Sequence, residues 1–242
     1  MKITYIGHSG FLAETENSCF LFDYYLGKIP EIQAGKELFV FASHRHEDHF
    51  NSKIFELIKS YPGVRFVLSS DIRIKHILGK YRGMGIDLSS HILFVKPNTT
   101  HKIECQNGKS LEIETLRSTD EGVAFFLTVE GEKIYHAGDL NLWIWEGESK
   151  QYNNNMKAMY FKELEKLKKR EIDVAFVPLD PRQEKDAFAG ILSFMENTES
   201  RHVFPMHFWG KFEIIREFLN QYPEYDKKIE VIEKEGQQFF IK

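Results

Sequence analysis

The run His44-Arg45-His46-Glu47-Asp48-His49 constrains this chain more than any other feature. Three histidines and an aspartate within six residues offer neutral imidazole nitrogen and hard carboxylate oxygen, the donors that a hydrolytic ion of the zinc type accepts. The run follows Glu37 to Ala42 (ELFVFA), a continuous apolar stretch of the kind a strand buried on both faces shows. It precedes Ser52 to Lys59, whose periodicity predicts a helix capped by Asn51 or Ser52. A loop anchored at both ends in this way can turn His44, His46, Asp48 and His49 toward one point. Read by itself, the alternative is a solvated polar loop.

The elements around the run alternate between strand and helix. Lys2 to Ile6, Gly10 to Glu14, Ser18 to Phe22, Arg65 to Leu68, Lys109 to Thr115, Val123 to Val129, Lys133 to His136, Val174 to Val177 and Val203 to Met206 read as strands. Asp71 to Leu78, Asn155 to Arg170, Phe188 to Glu196 and Phe212 to Asn220 read as helices. Polar residues of interest fall just after strand ends, where α/β folds place their sites. No repeat, low-complexity tract or Pro/Ser-rich linker divides the chain, so residues 1–242 are expected to form a single domain.

Composition bears on partners and compartment. A net charge of -4 supplies no global positive field for nucleic acid or an anionic membrane, and neither partner is expected. No apolar stretch is long enough to span a bilayer, and the opening residues lack the apolar core of a signal peptide. Cys19 and Cys105 are far apart and form no CxxC pair. Together these features predict a cytoplasmic protein.

His44-x-His46-x-Asp48-His49 resembles the signature of the metallo-β-lactamase superfamily. Two later landmarks keep that family's order. Tyr135-His136-Ala137-Gly138-Asp139 is similar to its strand followed by Gly-Asp, and Phe204-Pro205-Met206-His207 to its late strand ending in histidine. Ile6-Gly7-His8-Ser9-Gly10-Phe11-Leu12 and Leu21-Phe22-Asp23 resemble the opening hairpin of the branch that contains ascorbate-phosphate lactonase-like proteins. The resemblance runs from residue 1 to about residue 210.

The resemblance implies an α/β (α+β) fold: a four-layered αββα sandwich of two sheets face to face, helices outside, and metals at one edge. It assigns His44 and His46 to a first metal, Asp48, His49 and His207 to a second, and Asp139 to both. The implied cofactor is Zn2+, one or two ions, with Mn2+ or iron as alternatives. Water or hydroxide held between the ions would be the nucleophile, and Asp48 would also orient it. The implied activity is hydrolysis of a small ester, lactone or phosphoester. The alternatives are a phosphodiesterase or nuclease of the same fold, and a non-catalytic metal- or ligand-binding protein with a degraded first site.

One position departs from the pattern. The family supplies a third histidine to the first metal, and Ser118 stands about where it would fall. Serine is a poor ligand, so Asp120 or Glu121 is expected to reach in, or water to fill the position; of these, Asp120 is the expected ligand. An oxygen-richer site shifts preference from zinc toward manganese or iron.

Other residues have two readings each. His136 is a proton donor to the leaving group, or a strand-end histidine bonded to backbone. His8 and Asp23 support ligand orientation or are purely structural, and the structural role is the expectation. Trp143 and Trp145 wall a substrate pocket or pack the two halves together. Arg182 clamps a phosphate or carboxylate, or makes a surface ion pair, and Lys211 has the same ambiguity. His101 is expected at the surface, in a loop.

Overall fold

Apolar strands with no polar face must be covered on both sides, and this requirement sets the architecture. A computed structural model describes residues 1–241. In chain order the strands are β1 (Lys2–Gly7), β2 (Gly10–Glu14), β3 (Ser18–Phe22), β4 (Glu37–Ala42), β5 (Arg65–Ser69), β6 (Ile92–Val95), β7 (Thr100–Glu104), β8 (Ser110–Arg117), β9 (Val123–Val129), β10 (Glu132–His136), β11 (Glu171–Pro178), β12 (Glu199–Met206) and β13 (Gln238–Phe240). The helices are α1 (Lys75–Gly83), α2 (Lys150–Leu164), α3 (Ala189–Asn197) and α4 (Glu213–Gln221).

The strands form a seven-stranded sheet, ordered β13-β1-β2-β3-β4-β5-β6, and a six-stranded sheet, ordered β12-β11-β10-β9-β8-β7. Strand alternation divides each buried run between two cores. In β4, Phe39 and Phe41 face the second sheet, whereas Leu38, Val40 and Ala42 face outward under the 3-10 helix Ser52–Lys59 and α1. Aromatic rings fill the space between the sheets: Phe11 and Phe176 lie 4.3 Å apart, Phe22 and Phe176 5.6 Å, and Phe41 and Phe125 5.1 Å. On the far face of the second sheet Tyr135 stacks on Phe194 of α3. The order helix, sheet, sheet, helix is the four-layered sandwich that the sequence implied.

The segment from β3 to β6 is parallel, as is β10 to β12. The carboxyl ends of these strands therefore share one edge of the sandwich, where α/β folds hold ligands.

Several elements differ from the sequence reading. The expected helix from Asp71 begins only at Lys75, because Asp71 accepts the Arg45 N–H (2.9 Å) instead of entering a helix. The long charged helix starts at Lys150, with the Ser149 hydroxyl accepting the Tyr152 N–H (3.1 Å), and its regular part ends at Leu164. Strands β6, β7 and β13 are additional, and His101 lies on β7 opposite Ile113 rather than in a loop. Among the described residues, no helix is long and apolar enough to cross a membrane.

Phe176 is fully buried between the sheets. Truncating such a ring costs about 3–5 kcal/mol through lost burial and the cavity left behind. Phe176→Ala is expected to lower the free energy of unfolding by that amount in a urea titration. A loss below about 1 kcal/mol would mean that the inter-sheet aromatic layer does not carry the fold.

Candidate metal centre

Five segments meet at the shared edge. The His44–His49 run leaves β4, Asp139 follows β10, Asp180 follows β11, His207 follows β12, and His8 sits in the turn between β1 and β2. Beneath them lies Asp23, fully buried at the end of β3. Its carboxylate accepts the Ser43 N–H (2.7 Å), the Ser43 hydroxyl (2.6 Å) and His49 Nδ1–H (2.8 Å). The Ser43 hydroxyl proton is thereby committed to Asp23, so Oγ accepts His44 Nδ1–H at 2.9 Å. Both histidines are fixed in the tautomer that turns Nε2 toward the cleft. Burial pushes the Asp23 carboxyl up, but the imidazoles of His136 and His49 more than offset it and hold it below the usual range.

Two glycines set the height of this floor. Gly122 has φ +72°, and a Cβ there would lie 1.9 Å from the Ser43 carbonyl oxygen. Gly138 has φ +51°, and its Cβ would meet the Ser43 Cβ at 2.7 Å. Only glycine allows the two loops to close on the strand end that launches the histidine run.

The donor atoms form two groups: His44, His46 and Asp139, and His8, Asp48, His49 and His207. Donors around one tetrahedral ion with bonds of about 2.0–2.1 Å lie roughly 3.3 Å apart. In the first group His44 Nε2 is 3.0 Å from His46 Nδ1 and 3.4 Å from Asp139 Oδ2. Asp139 Oδ1 turns the other way, 3.2 Å from His49 Nε2 and 3.5 Å from His207 Nε2. Asp48 Oδ2 lies 3.9 Å from both of those nitrogens. One carboxylate thus faces both groups.

Buried polar atoms without partners are costly, and they collect here. His49 Nε2, Asp139 Oδ1 and His8 Nε2 are buried with no hydrogen-bond partner among the described residues. A cation would satisfy all three, and the imidazole and carboxylate donors suit zinc, manganese or iron. Burial pushes the His49 imidazole down, but Asp139 and Asp23 more than reverse this and hold it well above the usual histidine range, a proton that a bound cation would displace. Burial and the neighbouring His49 push the His44 imidazole down to about 4, which leaves it neutral at pH 7. Burial pushes Asp139 up, but His49 and His207 overcome this and hold it ionised, well below the carboxylate range.

His207 repeats the arrangement of His49. Its Nδ1–H donates to Asp180 at 2.8 Å, and Asp180 also accepts Arg182 Nε and Nη2 and Trp209 Nε1. Asp180 was not singled out from the sequence, although its place after a buried strand was a usable signal. Asp23, for which the structural role was the expectation, has the same function beneath His49.

His136 needs correction. It is fully buried, its Nε2–H donates to the Ser9 carbonyl (3.0 Å), and its Nδ1 accepts the Gly138 N–H (3.1 Å). Its ring stacks on Phe22 at 4.9 Å. With both nitrogens bonded to backbone and no path to the cleft, it cannot protonate a leaving group.

Around Ser118 the chain makes a tight loop. The Ser118 hydroxyl accepts the Asp120 N–H (3.1 Å) and faces the loop itself. Asp120 Oδ2 is 3.8 Å from His46 Nδ1, and Glu121 Oε2 is 3.6 Å from His46 Nε2. Glu121 is also paired with Arg45 (2.7 and 2.6 Å). Asp120 therefore borders the first group without joining its close set. Burial and the nearby Asp139 push its carboxyl up, a crowding that a cation would relieve.

Above the donors is a cavity of about 350 Å³, lined by His46, Asp48, Asp139, His207, Asp120, Thr119, Trp143, Trp145, Tyr152, Met156 and Arg182. Trp143 and Trp145 stack in parallel at 6.0 Å, and Trp143 Nε1–H donates to the Asp139 carbonyl (2.9 Å). Trp143 both packs the site and walls it. Tyr152 and Met156, from α2, were not anticipated; nothing in the sequence brings that helix to the cleft.

Residues 2–154 match a family model described as the beta-lactamase superfamily domain. A protein of Nanoarchaeum equitans named as a metal-dependent hydrolase is 28% identical over 217 residues, covering 86% of this chain and 84% of its own. A metallo hydrolase from Ignicoccus hospitalis has a similar structure, with TM-score 0.63 and 20% identity over 100% of this chain and 99% of that one. The diiron β-hydroxylase CmlA from Streptomyces venezuelae matches with TM-score 0.57 and 12% identity, covering 99% of this chain and 54% of its own.

Removing the partner that orients a metal-binding histidine weakens metal affinity about 10–100-fold. Asp180→Asn is expected to do so in a Zn2+ titration against a chromophoric chelator, whereas Arg182→Gln, which spares His207, leaves affinity unchanged. Equal affinities in wild type and Asp180→Asn would remove Asp180 from the centre.

Proposed function

The chain belongs to the beta-lactamase superfamily, and from that premise we propose that it is a metal-dependent hydrolase of a small, anionic ester, lactone or phosphoester. The observation that carries this reading is the pair of donor groups sharing Asp139 at the floor of a cleft bordered by Arg182. Zn2+ suits the imidazole-rich second group, while the carboxylates around the first suit manganese or iron. The name of the Nanoarchaeum equitans relative supports metal-dependent hydrolysis.

When bound, divalent ions supply Lewis acidity toward a carbonyl or phosphoryl oxygen and acidify water in the site. The protein's own groups do the rest. Asp48 lines the cleft with its carboxylate ionised: burial pushes its pKa up, but His8 and His49 more than reverse this. It is placed to orient an attacking water. The bonds to Asp180 use Arg182 Nε and Nη2, which leaves Nη1 for an anionic substrate group. The Arg182 guanidinium also lies 4.5 Å from the Trp209 ring, which restricts its motion. Trp143, Trp145 and Met156 supply an apolar wall for the remainder of the substrate.

The test is hydrolysis of a panel of p-nitrophenyl carboxylic esters, phosphate mono- and diesters and simple lactones by zinc-, manganese- and iron-loaded protein. His46→Ala and His207→Ala are expected to abolish turnover. Arg182→Gln is expected to raise KM for anionic substrates about 10-fold, the loss of one charge-assisted hydrogen bond, and to leave neutral esters unaffected. Undiminished turnover in both histidine variants would refute the reading. Metal binding without turnover of any substrate would favour a binding protein.

A further inference from the structure

His8 occupies a position where histidine is unfavourable. It lies in the turn Gly7-His8-Ser9-Gly10 between β1 and β2, with φ +52°. A left-handed backbone costs a residue with a Cβ about 1 kcal/mol, and glycine or asparagine is the usual solution. Strain of this kind persists where the surrounding structure holds it in place, and it collects at functional sites. The His8 carbonyl accepts the His207 N–H (3.3 Å), tying the turn to the end of β12. The ring is wedged between His207 (4.2 Å) and Trp209 (4.5 Å).

A histidine serving only to fill a turn would satisfy its ring nitrogens. His8 Nε2 is buried and makes no aligned hydrogen bond among the described residues; the Asp48 carboxylate stands beside it. It points at the second donor group, 3.3 Å from Asp48 Oδ2, the spacing of two ligands on one ion.

We infer that His8 is a direct ligand of the second ion, which is then held by five protein residues: His8, Asp48, His49, His207 and Asp139. The inference rests on the reading of this site as a metal centre. Its consequence is asymmetry. The first ion has His44, His46 and the shared Asp139, with Asp120 alongside. The second group, with more protein donors, would hold its ion more tightly, and the first would exchange its ion more readily.

The test compares stripped wild-type protein with His8→Gly, titrated with Zn2+ against a chromophoric chelator, and records the thermal midpoint of each stripped protein. The wild type is expected to show a tight and a weak site. In His8→Gly the tight affinity falls at least about 10-fold, the weak affinity holds, and the stripped midpoint is unchanged or higher because glycine relieves the left-handed strain. His46→Ala is expected to weaken only the weak site. If His8→Gly fails to fold, His8→Asn, which also tolerates this backbone, replaces it. Unchanged tight-site affinity in the variant overturns the ligand role of His8 while leaving the metal centre standing. A wild-type protein that takes up no ion overturns both.

Discussion

A buried negative charge at the end of β3 holds the site together. Asp23 has no exposure, and an uncompensated carboxylate in such a position would cost several kcal/mol. Its three hydrogen bonds come from both ends of the histidine run: Ser43 just before it and His49 at its close. The loop is therefore clamped at entry and exit by one group, and the ring orientations of His44 and His49 follow. Gly122 and Gly138 let the second sheet's loops close on Ser43 from the other side, which brings Asp139 within 3.4 Å of His44. The aromatic layer between the sheets fixes the distance over which these contacts can form.

The two halves of the centre are built to different standards. In the second group, His49 and His207 each lean on a buried carboxylate, Asp23 and Asp180, and both nitrogens face a common point. Such pairing fixes tautomer and direction and raises ligand basicity. In the first group, His44 has the Ser43 hydroxyl behind it, but His46 is substantially exposed and stands beside two carboxylates, one already paired with Arg45. The first group, beside the Ser118 loop, is thus the looser one, bordered by carboxylate oxygens.

Much of this was legible in the sequence where a signal was local. The histidine run declared itself by composition after an apolar strand, the resemblance to the metallo-β-lactamase signature picked out Gly138-Asp139 and the histidine after β12, and most strands were readable as apolar runs. Strands β6, β7 and β13 are short and only partly buried, so they lack that signature. What stayed hidden depends on contacts across the sequence. Asp180 gains its role from His207, 27 residues later. His8 gains its place from two other loops, those after β4 and β12, and α2 reaches the cleft only through the packing of the outer layer. His136 misled for the converse reason: its position beside Gly138-Asp139 suggested chemistry, while burial and two backbone hydrogen bonds made it part of the scaffold.

The central claim is that the two donor groups sharing Asp139 hold two cations. The most direct measurement is elemental mass spectrometry of protein purified without a histidine tag, chelated, and brought to equilibrium by dialysis against excess metal, with bound metal taken as the difference between the two compartments. The account predicts two ions per chain, one for each donor group. One ion or fewer after saturating reloading would contradict it, because the first group would then be no more than a polar border to a mononuclear site.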